Sequence, residues 1–218
     1  MKTIPTIQEL RARAKQYGSE PYWFGLGFIQ LKLNDTERMH FWCPEIPRPE
    51  REEIHNHRYD FRSTVLAGEL WHEVYHLDAT VDPSADIKIV DGCEYEIFET
   101  NCSPTKEGTV ETVTPCIVTH VGTFRLHTGS YYEFPHESFH TTELTTFAIT
   151  HLTRKLPKPL EYASVIKKRG QETSCPFKEK MAPEVCWDHI YNGLVRAGIE
   201  HQRDLNSLKE EQAKFRGR

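Results

Sequence analysis

Between Tyr22 and Arg154 the apolar residues come in short alternating runs separated by turn formers. Successive side chains of a strand point to opposite faces, so this rhythm is that of half-buried β-structure. It predicts strands near 24–33, 38–43, 54–57, 60–67, 69–77, 93–99, 110–121, 123–133 and 144–154. The expected breaks are Asn34-Asp35, the loop from Pro44 to Pro49, Gly68, Asp82-Pro83-Ser84, Ser103-Pro104, Gly122 and Pro135. At Gly68, the run Val65-Leu66-Ala67-Gly68-Glu69-Leu70 reads as two strands joined by a tight hairpin.

The two ends follow a different rhythm. Thr6-Ile7-Gln8-Glu9 is a T-x-x-E capping box, and helix formers continue from it to Gly18, with Ile7, Leu10 and Ala14 on the inner side. After Leu156-Pro157-Lys158-Pro159 the strand pattern stops, and Pro183 to about Lys214 reads as one or two helices packing through Val185, Ile190, Leu194 and Val195. The expected organisation is one domain: a helix within 1–20, a strand-rich unit over 21–157 and a helical extension over 158–218. Many short strands without helices between them predict an all-β sandwich or barrel and exclude a βαβ fold.

Composition narrows the partners. The chain has 218 residues, enough for one well-buried core. Its net charge of -5, from 27 basic and 32 acidic residues, gives no basic face for nucleic acid. No apolar run reaches the roughly 20 residues of a membrane helix. Residues 1–20 carry Lys2, Glu9, Arg11, Arg13 and Lys15 with no long apolar stretch, unlike a secretory leader. The six cysteines include no C-x-x-C pair and read as reduced, mostly buried thiols, which points to a cytoplasmic setting. No Gly-rich phosphate loop supports a nucleotide cofactor.

Candidate chemistry rests on histidine spacing. In His55-Asn56-His57, alternation on a strand presents two imidazoles on one face, as two neighbouring ligands of one metal require. Downstream, Gly129, Pro135 and His140 form a G-x5-P-x4-H pattern. A rival metal group, Cys175, Cys186 and His189, lacks the close pairs of a structural zinc site. His72, His76, His120 and His127 fall on strands without a ligand assignment.

Together, His55, His57, the run Val65-Leu66-Ala67-Gly68, and Gly129, Pro135 and His140 resemble the two sequence motifs of the cupin superfamily. The resemblance spans roughly residues 50 to 155. It implies a double-stranded β-helix, or jelly-roll, barrel holding one metal ion through His55, His57 and His140. Where the family usually has a glutamate this chain has Arg62, with Asp60 the nearest carboxylate, and Glu137 stands where a glycine is usual. A three-His site without a carboxylate is similar to that of cysteine dioxygenase-like cupins. That likeness implies Fe(II), with Zn, Mn or Ni as alternatives, and a small substrate, thiol or acidic, meeting dioxygen at the metal. It also implies an active-site role for His151, although Thr153 stands where those enzymes have a tyrosine.

Three further residues flank the motifs. Arg62 is either a partner for an anionic substrate group or a surface arginine paired with Asp60 or Glu69. Tyr131 and Tyr132 point to opposite faces, so at most one reaches the site, and Tyr132 is the candidate acid–base or hydrogen-bonding group. Three functions follow: an Fe(II) dioxygenase, a non-oxidative isomerase, lyase or hydrolase with a Lewis-acid metal, and a non-catalytic ligand-binding cupin. By analogy with paired barrels, the aromatic-rich 22–42 stretch is the expected contact of a homodimer.

Overall fold

A computed structural model describes residues 3–48, 53–80, 95–101, 110–155, 160–171 and 180–201. In chain order these form α1 (Ile7–Tyr17), β1 (Tyr22–Phe24), β2 (Phe28–Lys32), β3 (Glu37–Trp42), β4 (Ile54–His55), β5 (Phe61–Thr80), β6 (Tyr95–Thr100), β7 (Val110–His127), β8 (Tyr131–Phe134), β9 (Phe139–Arg154), β10 (Ala163–Lys168) and α2 (Pro183–Arg196). The protein is mostly β, and every strand belongs to one antiparallel sheet. Its pairings run in a closed circuit, from β9 to β4, β10, β6, β7 and β5, and from β5 back to β9. No helix among the described residues is long and apolar enough to cross a membrane.

Both helices sit on the outer face of β2, β3 and β9. Leu10 and Ala14 of α1, and Cys186, Trp187, Ile190 and Leu194 of α2, pack with Ile29, Leu31, Met39, Phe41 and Ile149 in one cluster. Thr6 closes the capping box at the start of α1 and Gly18 ends the helix in the left-handed conformation, as the sequence predicts. On the opposite face of the same strands, Phe28, Trp42, Ala148 and Leu70 pack together, and Phe61, Phe134 and Leu152 form a further cluster.

Several expected breaks are not breaks. β5 runs through Gly68 without a hairpin, and β7 runs through Gly122. Gly68, at φ 76°, sits between two register shifts of the β5–β9 ladder, and a Cβ there would lie 1.9 Å from the Phe147 carbonyl oxygen. Glycine therefore serves a bulge and a close backbone approach, which look like a turn in sequence. The stretch expected as one strand over 24–33 is two, β1 and β2, turning at Gly27. The segment expected to be a helical extension contributes β10, whose six residues pair with β6 and whose Val165 and Ile166 also pair with β4. Its pattern, with two lysines closing a short apolar run, is too brief to separate strand from helix by periodicity.

Candidate metal centre

Three short pieces of backbone bring the histidines together. β4 ends at His55, whose Cα partner on β9 is His140. His57 lies just past the strand end, held by Asn56, whose N–H donates to Ser164 O (3.0 Å) and whose Oδ1 accepts from Ser164 N–H (2.6 Å). The rings of His55 and His57 are 5.2 Å apart, and each is about as far from His140, at 4.7 and 5.1 Å. One candidate ligand atom from each of the three lies within 4.8 Å of the others. No other such group occurs among the described residues.

The nitrogens are oriented for one ion. His55 Nδ1 is 3.0 Å from the Glu53 carbonyl, which makes it the donor and leaves Nε2 with its lone pair. His57 Nε2 and His140 Nε2 are 2.8 Å apart. Two imidazole nitrogens in adjacent positions, each about 2.1 Å from one ion, stand about 3 Å apart, so this spacing fits a shared metal. Behind His140, its Nδ1 lies 3.1 Å from Nδ1 of His72, and Thr142 Oγ1 lies 3.2 Å from the same His72 atom.

Burial keeps these imidazoles neutral. It pushes His55 below its ordinary range and holds His57 and His140 well below it, with the neighbouring histidines adding to the effect. His72, 3% exposed, is pushed down to about 3 by burial. Neutral imidazoles are the ligating form. The donor set thus fits a divalent ion, and the residues that would hold it are His55, His57 and His140. An aromatic wall surrounds them: Phe134 stacks on His140 at 4.4 Å, and Phe61 meets His57 edge-on at 4.7 Å.

Other candidates lie elsewhere. Arg62 is exposed and ion-paired with Glu133 at 2.5 Å, its guanidinium 5.6 Å from the exposed Tyr131 ring. The buried neighbours Phe61 and Ser63 take the inner face, so alternation turns Arg62 outward, away from the triad. His151 pairs across strands with Met39 on the helix-covered face, its Nε2 3.4 Å from Glu37, whereas Leu152 faces the aromatic wall. Tyr132 does turn inward, its ring 4.7 Å from His72, and burial pushes its hydroxyl up to about 12. Asp60 is committed to His136, accepting from the backbone N–H and lying 2.8 Å from the ring Nδ1, and Glu137 is exposed. Cys186 is buried among the helices, and Cys175 lies outside the described residues.

Phe61, Phe134 and Tyr59 escaped the sequence reading, which placed His72 on a strand but gave it no role. Only the two aromatics at 59 and 61, close behind the H-x-H pair, gave a signal that could have been used.

No family model and no curated protein matches the chain. Among solved structures it aligns with a hydroquinone 1,2-dioxygenase from Sphingomonas sp. TTNP3 with 4-hydroxybenzoate bound, at 12% identity and TM-score 0.31, over 56% of this chain and 60% of that one. It also aligns with the hydroquinone 1,2-dioxygenase PnpCD in complex with Cd2+ and 4-hydroxybenzonitrile, at 11% identity and TM-score 0.33, over 71% of this chain and 77% of that one. Superpositions that loose carry no argument about fold or chemistry.

Proposed function

We propose that the chain is a cupin-type metal enzyme, a mononuclear Fe(II) dioxygenase in which His55, His57 and His140 hold the ion and a small acidic molecule or thiol is the substrate. The observation that carries this reading is the 2.8 Å approach of His57 Nε2 to His140 Nε2, from positions 83 residues apart. The closed strand circuit and the cupin-like motif spacing support the barrel. Three neutral ligands without a carboxylate leave the ion's charge uncompensated, which favours an anionic substrate.

Bound there, Fe(II) supplies a redox-active Lewis acid with open positions for substrate and dioxygen. The chain's own groups do the rest. Glu53 O fixes the His55 tautomer, and His72 orients His140. Phe61 and Phe134 exclude water from one side of the triad. Tyr132, protonated throughout the neutral range and with its ring 4.7 Å from that of His72, is the group we assign as hydrogen-bond donor on this side of the triad.

The test is anaerobic purification with metal analysis, followed by oxygen uptake against a panel of thiols and small carboxylic acids. Uptake that requires Fe(II) and disappears in His140→Ala is the expected result. Turnover with Zn in the absence of oxygen would replace it with Lewis-acid chemistry, since three imidazoles suit that ion equally. Tight metal-dependent ligand binding without any product would leave a binding module.

A further inference from the structure

On the inner face of β2, β3 and β9, cations gather that form no ion pair among the described residues. Lys32 on β2 and Arg38 on β3 are direct cross-strand neighbours, so their side chains share one face. Partial burial disfavours the Lys32 ammonium, and Arg38, Arg154 at the end of β9 and Arg58 in the loop after His57 depress it further, with Asp35 acting in the opposite direction. Among the described residues, none of these four side chains forms an ion pair. The nearby Asp35 offers its backbone oxygen to Arg154, and its carboxylate accepts from the Tyr17 hydroxyl at 2.6 Å.

Like charges directly opposite on neighbouring strands destabilise a sheet, and buried donors without acceptors cost more. Here both occur together: Nε of Arg38 and Nε of Arg154 are buried with no hydrogen-bond partner. Both guanidiniums lie over the Tyr59 ring, at 5.0 and 5.2 Å, and that ring is 6.2 Å from His57. One aromatic ring therefore separates the cations from the triad.

We propose that Lys32, Arg38 and Arg154 form an anion subsite beside the histidine triad, taking the carboxylate or phosphate group of a small molecule. An oxyanion there would offset the repulsion and give both guanidinium nitrogens an acceptor. The proposal rests on the metal-enzyme reading only in making this anion part of the substrate, because anion binding itself is measurable without metal.

The experiment is calorimetric titration and thermal melting of the full chain, metal-free and metal-loaded, with inorganic phosphate and with malonate as probes in low-salt buffer. Binding of at least one probe is expected, with a rise in Tm, and Arg38→Gln and Arg154→Gln should weaken it by about tenfold or more. In anion-free buffer Lys32→Gln should melt above the wild type, because it removes repulsion, whereas Lys168→Gln at the exposed end of β10 should change neither property. A response to phosphate alone assigns a phosphorylated ligand, and a response to malonate alone a carboxylic acid. The subsite is overturned if neither probe binds, if the glutamine variants bind as the wild type does, or if Lys32→Gln melts lower with binding unchanged. Should Arg38→Gln fail to fold, Lys32→Gln carries both readouts. Loss of metal with anion binding intact would sink the metal centre alone, and the reverse would sink the subsite alone.

Discussion

His72 Nδ1 lies 3.1 Å from His140 Nδ1, and both rings are buried. Two neutral imidazoles this close share one proton between the facing nitrogens, so one donates and the other accepts. If His140 gives its Nε2 lone pair to a metal, its Nδ1 carries the proton and His72 accepts it. His72 thereby sets both the tautomer and the tilt of a proposed ligand. His72→Phe should fold and weaken metal affinity by about 10–100-fold, read by competition with a chelator. Unchanged affinity would leave His72 a packing residue.

Removing a ligand should act more severely. His140→Ala and His57→Ala should each abolish stoichiometric metal binding in anaerobic metal analysis, while far-UV circular dichroism stays that of the wild type. Stoichiometric metal in either variant would move the ion elsewhere.

Arg62 makes the opposite forecast. It is exposed and paired with Glu133, so Arg62→Ala should alter stability by no more than about 1 kcal/mol in a denaturant melt. Metal content and oxygen uptake should not change. A fall in substrate affinity would return Arg62 to the site.

Gly68 tests the fold. With φ at 76° and the Phe147 carbonyl oxygen 1.9 Å from any added Cβ, Gly68→Ala must displace β9 backbone. A loss of about 2–4 kcal/mol is expected in urea unfolding. Wild-type stability would show that the bulge relaxes freely.

Acid should destabilise the metal-free protein. The unfolded chain's histidines take up protons below about pH 6.5. His55, His57, His72 and His140 in the fold resist protonation, His72 down to about 3. Between these limits His72 binds a proton only in the unfolded state, so stability falls as pH falls, by about 1.4 kcal/mol per pH unit for that imidazole, and the other three act in the same direction. Melting temperatures from pH 7 to pH 4 check the slope, and His72→Phe should flatten it.

Alternation and turn chemistry made most strands legible, along with the capping box of α1 and the start of α2. Spacing singled out His55, His57 and His140 before any fold was known, because an H-x-H pair and a G-x5-P-x4-H pattern are local properties of the chain. Alternation also put Tyr131 and Tyr132 on opposite faces, but only the fold showed that Tyr132 is the buried one and Tyr131 the exposed one. Gly68 and Gly122 misled, since a glycine within a long strand and a glycine in a hairpin leave the same trace.

What the sequence alone determined was thus local: element type, helix caps and three histidines of one kind. Which side chains face the triad was decided by tertiary structure. On β5, Phe61, Ser63 and Val65 point inward, but the register shift between Val65 and Ala67 inserts one residue, Leu66, and after it Leu70, His72 and Val74 take the inner face. Counted from Phe61 without that shift, His72 would face the same way as Arg62. The insertion is set by the fit of β5 against β9, a long-range pairing with no counterpart in the local pattern. For the same reason Lys32, Arg38 and Arg154 read as scattered surface charges until their strands are laid side by side.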